Sequence, residues 1–239
     1  MSLFLKFSTE SRDRNMENYL SVAIKDTQEL FLSAKVDAGH GIGHSLIVME
    51  HARKTLEHLP DLKETEKNSI LLAALLHDAD DKKFFGHKGY QNAEKILQKY
   101  PEESKLALEM ISLVSCSQNG NVIPECPQWM LIPRWCDRLE AMGEIGIKRC
   151  EIYNSHVGRP KYLSTTPIVK SKEDLIEIAT PERFLQYQNG KTSESMIDHF
   201  YDKLLHLKIP TGFSYIDNIM EERHEEMIRY VLKFWEEIL

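Results

Sequence analysis

Ile70-Leu71-Leu72-Ala73-Ala74-Leu75-Leu76-His77-Asp78 is an unbroken apolar run that ends on an imidazole and a carboxylate. Apolar nearly all round, it reads as a helix at the centre of its domain rather than an amphipathic helix on the surface. Asp61 or Thr65 is expected to cap its start, and Asp80-Asp81 with Gly86 mark a turn beyond its end. Burying His77 and Asp78 without a partner is costly, whereas a bound cation takes the imidazole lone pair and the carboxylate charge together. The position of the pair is therefore more telling than the dipeptide, which chance produces readily in a chain with ten histidines.

Outward from this helix, apolar residues mostly recur three or four apart and alternating β-branched runs are scarce, so an all-α fold is expected. A first helix is expected around Glu17 to Ser33. Asp37-Ala38-Gly39-His40-Gly41-Ile42-Gly43-His44 then leads into a second helix that runs to Leu59 and is stopped by Pro60. Two more, Lys88 to Lys99 and Glu102 to Val114, are divided by Pro101 and followed by a Gly-, Pro- and Asn-rich loop from Ser115 to Pro127. Pro133 suits the first turn of a helix that presents Asp137 one turn in. Asn154 to Lys170 reads as an irregular excursion, Thr192 or Ser193 as the cap of a helix holding His199 and Lys203, and Tyr215 onward as a charged amphipathic closing helix. The expected organisation is a single domain over 1–239, with a core over about 35–150 and a C-terminal helical part over about 151–239.

With 239 residues, 42% of them hydrophobic, the chain can bury a substantial core. Its formal net charge of -7 disfavours coating extended nucleic acid, which requires many phosphates to be neutralised. The run from Ile70 to Leu76 is too short to cross a bilayer and Met1 to Phe7 too brief for a secretory core, so a cytoplasmic protein with no membrane partner is expected. Cys116, Cys126, Cys136 and Cys150 show no paired ligand spacing and are read as reduced and structural rather than as a zinc site.

His44, His77, Asp78 and Asp137 stand in an order that can bring one divalent-metal site together from three helices. Two imidazoles and two carboxylates leave positions open for water and a phosphoryl oxygen, the requirement of a hydrolytic site. Lys82, Lys83, Lys88, Arg138, Lys148, Arg149, Arg159 and Lys203 are the cations from which such a site draws positive charge. Each residue also has a plainer reading. Asp78 can reach a backbone N–H at a helix end, and Asp137 can pair with Arg134 or Arg138. His51, His58, His87, His156, His206 and His224 read as ordinary surface or structural histidines.

Three stretches carry a resemblance: Leu75-Leu76-His77-Asp78-Ala79-Asp80-Asp81-Lys82-Lys83-Phe84, Trp135-Cys136-Asp137-Arg138-Leu139-Glu140-Ala141, and His199-Phe200-Tyr201-Asp202-Lys203-Leu204-Leu205. Together, over about residues 35 to 235, the chain resembles the HD-domain phosphohydrolases, in particular their small single-domain branch. The stretch from Asn154 to Thr192 is the least typical part.

The resemblance implies an HD-domain helical bundle with a less regular excursion in its second half. It implies His44, His77, Asp78 and Asp137 as ligands of one divalent ion, with Mn2+ favoured over Mg2+, Fe2+, Co2+, Ni2+ or Zn2+. It also implies Asp81 as general acid or base, with His40 at the phosphate or leaving group. Lys83, Arg138, His199 and Lys203 become substrate contacts, Arg138 being equally suited to brace Asp137. The implied reaction converts a nucleoside triphosphate to monophosphate and pyrophosphate. A 5′-monophosphatase and a metal-binding module without turnover are the alternatives. Gly41 and Ile47 depart from the family's first motif, where an aspartate and an arginine are usual, which weakens the inference of substrate more than that of metal. The closing helix offers a surface for a homodimer.

Overall fold

Residues 19–36, 40–86 and 89–239 are described by a computed structural model, and among them the chain is helical with no strand, the all-α architecture expected. Two compact units divide the chain. One comprises the residues up to Val114 together with Cys126–Arg134, and the other Ser115–Glu125 together with Trp135–Leu239.

The first unit holds α1 (19–33 of the described residues), α2 (Ile42–Leu56), α3 (Glu64–Leu76), α4 (Lys82–Phe85), α5 (Gln91–Leu97), α6 (Ser104–Val114) and a 3-10 turn, Gln128–Leu131. Helix α3 is central, as its composition required. Ile70 through Leu76 are each 0% exposed, and the helix packs against α2 and α6. Leu72→Ala is expected to cost about 3 kcal/mol, because a close-packed site around a central helix collapses only partly onto a deleted side chain; urea denaturation of the variant measures it.

The start of α3 differs from expectation. Neither Asp61 nor Thr65 caps it; Lys63 stands at the N-cap and donates its backbone N–H to the Glu66 carboxylate at 2.7 Å. An acid inside the first turn reaches back to the preceding amide and also suits the positive end of the helix dipole. After α3, Asp81 caps α4, and Gly86 ends it at φ 52, a left-handed conformation that glycine adopts without strain. Asp80 turns the other way and accepts the backbone N–H groups of Asn92 and Ala93 at 2.9 and 3.0 Å. It thereby satisfies the start of α5, which Tyr90 at the N-cap leaves without a side-chain cap. Helix α5 begins at Gln91, and Lys88, like Asp37 to Gly39 and His87, lies outside the described residues.

The second unit contains α7 (Cys116–Asn119), α8 (Ile132–Glu140, from Trp135 onward), α9 (Gly143–His156), α10 (Lys172–Ile178), α11 (Pro181–Gln188), α12 (Met196–Asp202), a 3-10 turn Leu204–His206, and α13 (Ser214–Ile238). Helix α7 is a short helical turn inside the loop expected from Ser115 onward. Helix α13 buries Ile216, Met220, Met227, Ile228, Val231 and Trp235 along one side and packs on α9, α10 and α12, as its amphipathic pattern required. The Trp235 indole N–H donates to the Tyr201 hydroxyl at 2.8 Å, which donates to the Pro167 carbonyl at 3.0 Å. The irregular excursion lies over 157–170, and its Pro160 and Lys161 carbonyls accept the N–H groups of Met196 and Ile197 at 2.9 and 3.0 Å. Helix α12 is capped by Ser195 rather than Thr192 or Ser193. The Ser195 hydroxyl accepts the Asp198 N–H at 3.0 Å and donates to the Asp198 carboxylate at 2.7 Å, a reciprocal pair open only to a serine three residues before the acid. No helix among the described residues is long and apolar enough to cross a membrane.

Candidate metal centre

Helix α2 presents His44 on the buried row that continues through Val48, Ala52 and Leu56, and His44 is only 6% exposed. His77 caps the C-terminus of α3. Its Nδ1 lies 2.8 Å from the Ala74 carbonyl, an acceptor with no hydrogen to offer, so Nδ1 carries the proton and Nε2 the lone pair. That lone pair faces His44 Nε2 at 3.2 Å and Asp78 Oδ2 at 3.4 Å, and His44 Nε2 in turn lies 3.8 Å from Asp78 Oδ2. Three donor atoms thus converge in the first unit, with the helix carbonyl behind His77 holding its ring in the metal-binding tautomer. Such a cluster of nitrogen and oxygen donors fits a divalent cation.

One turn on, the Asp81 N–H donates to the Asp78 carbonyl at 3.1 Å and the Asp81 carboxylate accepts the Lys83 N–H at 2.9 Å. The Lys83 ammonium lies 3.3 Å from His40 Nε2 and 4.0 Å from Asp81 Oδ2, and the His40 ring packs 5.5 Å from that of Phe84. The fold therefore brings Asp81, His40 and Lys83 together around α4, at the surface.

In the second unit every residue of α8 from Trp135 to Glu140 is buried except Asp137, which is part-exposed. Arg138 is 1% exposed and donates to the Asn121 side-chain oxygen at 2.6 Å and to the Gly120 carbonyl, with its guanidinium 4.8 Å over the Trp135 ring. Burial pushes this guanidinium below its ordinary value. The guanidinium thus holds the 120–121 loop through two of its nitrogens. Asn121 was not singled out in the sequence, because nothing in spacing links it to an arginine 17 residues on.

His199 lies on α12 and Lys203 stands at its C-cap. Burial, reinforced by the charges of Lys203 and Arg159, pushes the His199 imidazole from 6.5 down to about 3. Burial also lowers His206 and His224, whose Nε2–H groups donate to the backbone carbonyls of Tyr201 and Leu205. A depressed histidine favours the folded state above the unfolded value of 6.5, and this contribution is lost as the pH falls from there towards the folded value. The second unit is therefore expected to lose at most about 1.4 kcal/mol per pH unit through His199 below that point. Urea unfolding at pH 7 and pH 5 measures the loss, and His199→Asn should flatten it.

No family model matches the chain. It is similar to the protein L803 of Acanthamoeba polyphaga mimivirus, 41% identical over 224 residues that cover 85% of this chain and 91% of that one. Its fold is similar to that of an HD-superfamily hydrolase from Bacillus thuringiensis, with TM-score 0.65, 24% identity and coverage of 93% and 97% of the two chains. Bacillus subtilis YpgQ, crystallised in complex with ADP, is similar with TM-score 0.59, 18% identity and coverage of 90% and 96%.

Proposed function

Since this chain belongs to one family with the mimivirus protein L803 and has the fold of the HD-domain superfamily, we propose that it is a metal-dependent phosphohydrolase. Fold alone does not decide function. The observation that carries the reading is the convergence of His44, His77 and Asp78 donor atoms, within 3.2 to 3.8 Å of one another, at the end of a helix otherwise buried in hydrocarbon. Under this reading His44, His77, Asp78 and Asp137 hold one divalent ion, which we take to be manganese. Such an ion, when bound, lowers the pKa of water and offsets negative charge on phosphoryl oxygens.

The chain's own residues do the rest. The Ala74 carbonyl holds His77 in register, and Asp81, tethered at one oxygen by the Lys83 N–H, takes a proton from the attacking water. His40 and Lys83 meet the leaving group, Lys83 contributing charge and His40 a proton. His199 and Lys203 touch a phosphate of the substrate. Arg138 acts behind Asp137 as a positioning residue.

The ADP complex of YpgQ supports a nucleotide as substrate. We take it to be a nucleoside triphosphate: water adds at the α-phosphorus, the bond to the bridging oxygen breaks, and pyrophosphate leaves with the protonated oxygen. Incubation with manganese and a panel of nucleoside and deoxynucleoside triphosphates, resolved by ion exchange, tests this. Monophosphate and pyrophosphate in equal amounts are expected. Inorganic phosphate released from monophosphates selects the monophosphatase chemistry instead. Bound manganese with no product from any phosphate ester overturns the enzymatic reading in favour of a binding module, the outcome to which Gly41 and the exposed Ile47 point.

A further inference from the structure

Helix α9 buries Gly143, Gly146, Ile147, Cys150 and Asn154, packs on α13 and α12, and turns the rest of its circumference to solvent. That outer side is apolar at its tips. Ile145 is 44% exposed, Ile152 62% and Tyr153 51%, with Val157 at 47% just past the helix end. Arg149 stands one turn after Ile145 and one turn before Tyr153, and the exposed Lys148 stands one turn before Ile152, so cations and apolar tips alternate along one stripe. Gly158, at φ 67, then turns the chain back on itself. The Arg159 N–H donates to the Asn154 carbonyl at 2.9 Å, and its guanidinium lies 6.0 Å over the Tyr153 ring, at the edge of the same stripe.

Charge gathers where the apolar tips do. Residues 145–172 hold six lysines and arginines and a single acid, Glu151, in a chain whose formal net charge is -7. Glu151 accepts the Tyr230 hydroxyl of α13 at 2.8 Å, and Glu144 lies in the first turn of α9, at the far end from Arg159. Arg149 donates through one nitrogen to the Glu140 carbonyl at 3.0 Å, while Lys148, Arg159 and Lys161 form no ion pair among the described residues. The same 28 residues carry seven of the 17 large apolar side chains that are exposed among the described residues. A merely solvated helix face mixes charges of both signs and scatters its apolar side chains singly, and this face does neither.

Shape and charge together select the partner. Exposed residues run from Glu144 through Ile145 to Val157 over roughly 220° of the helix, which makes the face a ridge. A peptide helix is received in a groove. Two-fold contact with a second copy sets Lys148, Arg149 and Arg159 against another basic face, a juxtaposition that repels. A ridge of apolar tips flanked by long cationic side chains suits the plane of a bilayer, with the tips at the acyl boundary and the cations at lipid phosphates. We propose that α9 and the turn to Arg159 form a peripheral docking face for an anionic lipid surface. Such a contact depends on charge and exposed apolar area rather than on the length of an apolar run, and neither the metal centre nor the phosphohydrolase reading enters it.

The test is co-sedimentation of the full-length protein with phosphatidylcholine vesicles containing about 30% phosphatidylserine, and with vesicles of phosphatidylcholine alone. Binding to the anionic vesicles is expected to be at least about tenfold the stronger and to weaken as salt is added. Lys148→Gln combined with Arg159→Gln should weaken it at least about tenfold and Ile152→Ser at least about threefold. Lys25→Gln, an equally exposed cation on α1 of the other unit, should leave it within about twofold. Circular dichroism checks that each variant is folded. Absence of sedimentation with anionic vesicles, equal sedimentation with neutral ones, or unchanged binding by the folded double variant overturns the proposal. Retention on immobilised polyglutamate that the double variant loses, without vesicle binding, gives the face to an acidic protein. A dimer that Ile152→Ser dissociates in sedimentation equilibrium, again without vesicle binding, gives it to a second copy. Either result overturns the lipid surface.

Discussion

His77→Ala is expected to lower bound manganese from one ion per chain to less than about a tenth of that and to reduce turnover more than about 100-fold, since even groups behind a ligand account for 10- to 100-fold. The cause is geometric. His77 Nε2 faces both His44 Nε2 at 3.2 Å and Asp78 Oδ2 at 3.4 Å, so its removal takes away the donor at the middle of the cluster. Elemental analysis after dialysis gives the metal content. A thermal melt supplies the control, because manganese should raise the melting temperature of the wild-type protein and leave that of the variant unmoved. Asp78→Asn and Asp137→Asn should behave alike. Retention of a full equivalent of manganese by Asp137→Asn would remove that residue from the ligand set, and retention by His77→Ala would end the metal-centre reading altogether.

Arg138→Ala is expected to destabilise the protein by about 3 kcal/mol or more, since two hydrogen bonds to a charged donor contribute about 1.5–3 kcal/mol each. Truncation deprives the Asn121 side-chain oxygen and the Gly120 carbonyl of their donor and uncovers the Trp135 face. It also loosens the 120–121 loop, whose Asn121 amide donates to the His206 carbonyl at 3.0 Å. At this chain length such a loss corresponds to a fall of roughly 6–12 °C in melting temperature. Arg138→Lys should recover little of it, because an ammonium on a flexible stem cannot hold two acceptors in the fixed fork that a guanidinium presents. A fall below about 2 °C in both variants would remove the brace from Arg138.

Local signals located the helices well and their ends less well. The run to Leu76 was legible as a central helix because seven consecutive apolar side chains have nowhere to go but inside. Pro133 marked the start of α8, and Gly86 the end of α4, because each restricts or frees its own backbone. Caps were less legible wherever several polar residues competed. Glu66 displaced Asp61 and Thr65 by reaching back to the Lys63 N–H, and Ser195 displaced Thr192 and Ser193 by closing a reciprocal pair with Asp198. Asp80, one of three acids in a row of four residues, gave no sign that it serves α5 while its neighbour Asp81 serves α4.

By itself the sequence determined the helical class, the core run and the residue types fit to hold a cation, because those follow from hydrophobic periodicity and donor chemistry within short windows. Only the tertiary structure decided that the imidazoles of His44 and His77, 33 residues apart, meet nitrogen to nitrogen, and that Arg138 is committed to a loop. It alone also set the Tyr187 ring against His199 and Lys203. Such pairings depend on how whole helices pack, and the buried area that drives packing carries no record in sequence of which polar groups it will bring together.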